Sequence, residues 1–223
     1  MSAFSGSHAS GAYLQGPARH VPGFATLHRM VSMLLAERVP EQGRVLVLGA
    51  GGGMEIKALA DAHAGWRFDG IDPSADMLRL ATETISPHGE RVSLQEGLID
   101  AAPLGPFDGA TSLLTFHFIE RAERLPTLQQ LHARLKPGAP LVLAHISFPQ
   151  TEPERSQWIA RHVAYGAPAD TDAAQLKRSE EAIGTRLTIL SPDEEEALLR
   201  EAGFSGVSLF FAGLSFRGWV AYA

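Results

Sequence analysis

Between Arg44 and Ser147, five short strand-like runs alternate with helical segments, and this alternation restricts the fold more than any other feature. The runs are RVLVLG (44–49), WRFDGID (66–72), RVSLQEG (91–97), FDGATSLLTFHF (107–118) and PLVLAHIS (140–147). Helical stretches MEIKALADAH, SADMLRLATETI and Arg121–Leu135 lie between them, the last stopped by Lys136-Pro137-Gly138. An apolar run without alternation is buried on both faces, and repeated strand–helix units build a parallel sheet covered on both sides. Near the end, GVSLFFAGLSFRGWVAYA holds two more strand-like halves about Gly213. Their connection is too short for a parallel crossover, so they form an antiparallel pair.

The flanks read differently. Residues 1–23, rich in Ser, Gly, His and Pro, read as a flexible arm, with Tyr13, Leu14 and Val21 able to dock it. From Phe24 to Arg38, apolar residues at 24, 27, 30, 31, 34 and 35 return at helical spacing. One domain is expected over 24–223, interrupted at about 151–190 by a polar helical insertion that reads as a lid, with helices near 152–165 and 170–185. Ser191, Pro192 and Glu194 then form a capping box for a helix that Gly203 ends.

Composition narrows the function. The formal charge is −6 with no basic stripe, which disfavours direct nucleic-acid binding. There is no cysteine, hence no disulfide framework or thiolate metal site, and no zinc-type histidine spacing; no metal is expected. No apolar run reaches the ~18 residues of a membrane span, no signal peptide is visible, and a cytoplasmic enzyme is expected.

In VLVLGAGGGM the first buried strand breaks into four glycines within five residues. The dinucleotide pattern Gly-x-Gly-x-x-Gly fails at Met54, and the phosphate loop's Lys-Ser/Thr is absent. What remains, Gly49-x-Gly51-x-Gly53, lets the backbone turn sharply and lie directly against a ligand. Nineteen residues past Gly53 comes Asp72, at the end of the second strand, where a carboxylate can accept hydrogen bonds from both hydroxyls of a ribose. The alternative is a turn that only packs helix on strand, with Asp72 capping the next helix.

VLVLGAGGG, FDGIDPSADML, FDGATSLLTFHF, LKPGAPLVLAH and LLREAGF together resemble the class I S-adenosylmethionine-dependent methyltransferases, from about Phe24 onward. The resemblance implies a Rossmann-like α/β fold, with a seven-stranded, mostly parallel sheet whose last strand is antiparallel. It implies S-adenosylmethionine as cofactor and S-adenosylhomocysteine as product, with Gly49, Ala50, Gly51, Gly53, Asp72, Pro73, Leu98, Ile99 and Thr115 as cofactor contacts. HVPGFATLHRMVSMLLAER, QLKRSEEAI and AGFSGVSLFFAGLSFRGWVA resemble more closely the carboxy-S-adenosylmethionine synthase branch. That branch implies a homodimer, a substrate contact at Phe24 and an arginine, Arg178, on a ligand carboxylate. The chain departs from these patterns at Val47, Leu98, Phe24 and Leu113, each a lost polar contact.

Methyl transfer from a sulfonium is an in-line displacement with a neutral leaving group, so it chiefly needs alignment and exclusion of water. Where the acceptor must lose a proton, His117 is the best-placed base, the alternative being a histidine packed between Phe116 and Phe118. His145 is expected to line the acceptor pocket or to be a buried strand-end histidine, and Arg178 to pair with a carboxylate or stand solvated. Three readings stand: a methyltransferase for a small-molecule acceptor, a carboxy-S-adenosylmethionine synthase-like enzyme, and a non-catalytic nucleoside-binding protein.

Overall fold

The structure is a computed structural model and describes residues 16–223. The expected arm thus falls largely on residues outside the described ones, Tyr13 and Leu14 included. Val21, near its end, is buried in the core.

Seven strands form one sheet: β1 (Arg44–Leu48), β2 (Arg67–Asp72), β3 (Val92–Glu96), β4 (Gly109–Leu113), β5 (Pro140–Ile146), β6 (Ser205–Gly213) and β7 (Phe216–Tyr222). Their order is β3-β2-β1-β4-β5-β7-β6. Pairings from β3 across to β5 are parallel, while β7 runs antiparallel to both β5 and β6. The helices are α1 (Phe24–Ala36), α2 (Met54–Ala62), α3 (Ala75–Thr84), α4 (Arg121–Arg134), α5 (Glu154–Gly166), α6 (Ala173–Arg186) and α7 (Pro192–Glu201). The expected seven-stranded α/β fold is therefore the observed one.

The unbroken apolar run of β1 explains its central place. Val45 and Val47 join one core, with Leu27, Val31 and Leu35 of α1 and Ile56 of α2. Leu46 and Leu48 join the other, with Leu128 and Leu131 of α4 and Trp219 of β7. Each such side chain stabilises the fold by roughly 1.5–3 kcal/mol, so β1 could not be moved to an edge without large loss. At the other end, the Ser191–Glu194 capping box starts α7 as expected.

One element differs from expectation. FDGATSLLTFHF is not a strand through Phe118: β4 stops at Leu113, where Leu114 adopts φ 58°. The Thr115 hydroxyl then donates to the Leu113 carbonyl, and Phe116–Phe118 closes into a single 3₁₀ turn. His117 consequently stands on that turn rather than on the strand. The two inserted helices lie where expected but are unequal: α5 buries Ile159, His162, Val163 and Gly166, whereas α6 buries no residue.

Candidate active site

The order reverses between β1 and β4, both followed by helices, and such a switch point leaves a crevice at the carboxyl ends of the strands. The glycine bend sits there. Gly49, Gly51 and Gly53 have φ of 80°, 50° and 80°, so alternate residues occupy the left-handed region that side chains avoid. At Gly49 a Cβ would also lie 2.0 Å from the Thr115 hydroxyl oxygen. The bend is tied to β2: the Gly49 and Ala50 N–H groups donate to the Ile71 carbonyl at 2.8 and 2.9 Å. The Gly51 N–H donates to Asp72 Oδ2, and the Ser74 N–H to Asp72 Oδ1, each at 2.9 Å.

Asp72 thus does something the sequence did not announce: it braces the bend. It is not the cap of α3, because Ser74 fills that role by accepting from the Met77 N–H. Each carboxylate oxygen keeps a further lone-pair direction, so the buried Asp72 can accept ligand hydroxyls while holding the loop. The cap residue of α2 is Gly53, with no side-chain acceptor.

Above the bend opens a cleft of about 960 Å³, near the upper end for small-molecule sites. Its floor is made by the ends of β1, β2 and β4, and its roof by residues 16–24, α1, α5 and the end of α6. Of the residues expected at the cofactor and acceptor sites, Gly49, Ala50, Gly51, Asp72, Pro73, Leu98, Ile99, Thr115, Phe24 and His117 line this one cleft. Three do not. Gly53 is turned inward, where a Cβ would lie 3.0 Å from the Ala81 Cα. Arg178 is exposed on α6, whose cleft-facing residue is instead Ile183.

His145 is the third, and it is fully buried. Its ring packs between Phe116 and Trp219, with centroids 5.5 Å from each, and its Nε2 lies 2.9 Å from Glu195 Oε1. Glu195 also accepts from Arg124, whose guanidinium donates to the Thr188 and Ile119 carbonyls as well. Burial raises the Glu195 carboxyl, but His145 and Arg124 outweigh it and hold its pKa below the ordinary value. The group is a structural ion cluster joining α4, β5 and α7 behind the cleft wall.

His117 faces the cleft and is 5% exposed. Burial, then the nearby His145, Arg124 and His162, push its pKa well below 6.5, so the ring is neutral. Its Nδ1 accepts the Ile146 N–H at 3.4 Å, which places the ring proton on Nε2. In this geometry His117 presents a hydrogen-bond donor, not the lone pair of a base.

Sequence reasoning missed three groups on the cleft wall. Glu55 is a carboxyl in the first turn of α2 and 7% exposed; a charge just after a glycine bend reads from sequence as ordinary helix-start chemistry. His28 of α1 and His20 before it also line the cleft, and only the helical spacing from Phe24 could have suggested His28. His162 of the inserted helix α5 accompanies them, with Nδ1 2.7 Å from the Ser215 hydroxyl. Burial lowers both His28 and His162 to about 4.

Residues 45–138, from the start of β1 through the bend, β2 and α4, match the family described as Methyltransferase domain. A carboxy-S-adenosyl-L-methionine synthase from Chromohalobacter salexigens is 26% identical over 92% of this chain and 77% of its own length. An O-methyltransferase family protein from Burkholderia thailandensis shares the fold with a TM-score of 0.70 and 16% identity, over 97% of this chain and 60% of that one. Human N-acetylserotonin methyltransferase, solved in complex with S-adenosylmethionine, gives a TM-score of 0.58 at 18% identity, over 86% of this chain and 51% of that one. The chain thus spans only about half to three-fifths of those two structures. With the reversed strand order, the bare bend and the matched segment all in one place, residues 45–138 match a methyltransferase domain, and the chain as a whole is similar to carboxy-S-adenosyl-L-methionine synthases and shares the fold of S-adenosylmethionine-dependent methyltransferases.

Proposed function

We propose that the protein transfers the methyl group of S-adenosylmethionine to a small-molecule acceptor lying between the glycine bend and the helical roof. The observation that carries this reading is the Asp72-braced bend opening into a cleft large enough for a nucleoside and a second molecule. The residues fit the cofactor. The corner at Gly49 and Gly51 has no side chain to obstruct it, and Asp72 stands at the end of β2 to hold a ribose. Leu98, 63% exposed, offers an apolar surface for a base.

The cofactor supplies an electrophilic methyl on a positively charged sulfur. The chain's residues supply the rest. Phe24, Phe216, Ile183 and Leu187 wall the acceptor side with apolar surface and exclude water. His117 Nε2–H donates a hydrogen bond that orients an acceptor oxygen or nitrogen for in-line attack.

A second reading, carboxy-S-adenosylmethionine synthesis, is favoured by the name of the curated relative. The charge of the cleft speaks against it. No Lys or Arg lines it among the described residues, whereas Glu55, Asp72, Asp100, Glu120 and Glu123 do. A carboxylated sulfonium or a dicarboxylate substrate would find no guanidinium there, since Arg178 is outside. A cationic sulfonium and a neutral acceptor suit the same walls. The test is incubation with methyl-labelled S-adenosylmethionine and a panel of neutral hydroxylated or amine acceptors, followed by mass spectrometry. S-adenosylhomocysteine with methylated acceptor supports the reading; carboxymethylated sulfonium formed from prephenate would replace it with the second.

A further inference from the structure

Glu55 is a buried carboxyl with no cation. It sits at the second position of α2, directly after the bend, and lines the cleft at 7% exposure. Its Oε1 has no hydrogen-bond partner, and no Lys, Arg or His pairs with it among the described residues. Its neighbours are the Thr111 side chain and the Leu113 backbone on β4. Burial pushes its carboxyl up to about 7, against the smaller opposing effect of those two contacts. A buried carboxyl with one oxygen unpaired and no cation beside it is destabilising in its charged form unless something arrives to pair with it.

The floor gives the direction of approach. Asp72 ends β2, the bend covers β1, and Glu55 lies over β4, whose Thr111 is the register partner of Val47. A nucleoside whose sugar meets Asp72 and which crosses the bend therefore brings its far end to Glu55. In S-adenosylmethionine that far end carries an ammonium group. No Lys or Arg among the described residues lines the cleft to compete for the place.

We propose that Glu55 is the receptor for the ammonium group of the bound cofactor's amino-acid end, reaching it from α2. This rests on the nucleoside-binding reading of the cleft. Binding then converts a half-protonated acid into a paired carboxylate, so that the cofactor displaces a proton. The other titratable groups lining the cleft are His20, His28 of α1, Asp72 of β2, Asp100, His117 after β4, Glu120 and Glu123 at the start of α4, and His162 of α5. His28, His117 and His162 are held neutral by burial, and Asp72 accepts from two amide donors.

The test is calorimetry of S-adenosylhomocysteine and of 5′-methylthioadenosine, which shares the nucleoside and thioether but lacks the amino-acid end. Glu55→Gln should weaken S-adenosylhomocysteine by ~10-fold or more, and methylthioadenosine by less than about twofold. In two buffers of different ionisation heat at pH 7, the wild-type protein should release about half a proton per S-adenosylhomocysteine bound, and Glu55→Gln none. Glu55→Asp, which keeps the charge on a shorter stem, should recover part of the affinity. Glutamine is an uncharged isostere of the buried acid, and retained methylthioadenosine binding checks that the variant is folded. Unchanged S-adenosylhomocysteine affinity in Glu55→Gln, or equal loss of both ligands, overturns the assignment and makes Glu55 a structural acid. Failure of both ligands to bind the wild-type protein overturns the nucleoside reading itself, and Glu55's role with it.

Discussion

The floor and the roof of the cleft are built by different means. On the floor, main-chain groups set the shape: the Gly49 and Ala50 amides rest on one carbonyl of β2, and Gly51 on Asp72. On the roof, side chains do it. His20 rests on Gly166, where a Cβ would come within 2.2 Å of the ring, and α6 buries none of its residues. Arg155 of α5 donates to the Gly184 carbonyl of α6 at 2.8 Å, and few other polar contacts join the two helices. A backbone-built surface tolerates few sequences, because its run of left-handed dihedral angles strongly favours glycine. A side-chain-built surface can exchange its residues while the fold persists. On the proposed reading, the half of the site that meets the cofactor is the rigid one, and the half that meets the acceptor is adaptable and more weakly held.

Substitutions on the two sides should separate them. Gly51→Val places a β-branched side chain at φ 50°, in the cleft and outside the core, and has the largest expected effect: loss of S-adenosylhomocysteine binding by on the order of 100-fold, with the fold retained by circular dichroism. Asp72→Ala comes next. It removes a ribose partner and the acceptor for two amides together, so affinity should fall ~10-fold or more and stability by on the order of 1–3 kcal/mol, read by calorimetry and denaturant unfolding. If stability falls but affinity does not, Asp72 belongs to the brace alone.

His117 tests the boundary between floor and roof. Burial depresses its pKa well below 6.5; whatever it contributes to stability is present above pH 6.5 and is lost as pH falls through its lowered folded value. As a donor rather than a base, His117→Asn should lower kcat by ~10-fold with the cofactor saturating and leave the shape of the pH profile unchanged. Loss of an ionisation in that variant would restore the role of base. The smallest effect belongs to the roof's outer surface: Arg178→Ala should leave cofactor affinity and acceptor KM within about twofold of wild type.

These contrasts also explain what could be read from the sequence. Strand β1 was legible because four successive buried apolar residues have few other uses, and the bend because three left-handed residues demand glycine. The end of β4 was not: nothing in SLLTFHF announces that Leu114, not a glycine, takes the left-handed turn that sets His117 on the cleft wall. Which of its two alternatives His145 takes, the buried one, was hidden for a related reason. Its partners Glu195 and Arg124 are far from it in sequence, and a long-range ion cluster leaves no local pattern. Arg178 was assigned by resemblance alone, and an exposed helix face carries no signal for where its residues point.

The central claim is that a nucleoside lies on the bare bend with its sugar at Asp72. A crystal structure of the protein with S-adenosylhomocysteine tests it most directly. The expected result is density crossing from Leu98 over Gly49 and Gly51, with both ribose hydroxyls on the Asp72 carboxylate. Density elsewhere in the cleft, or a bend still closed to the ligand while binding is measured in solution, would contradict the account.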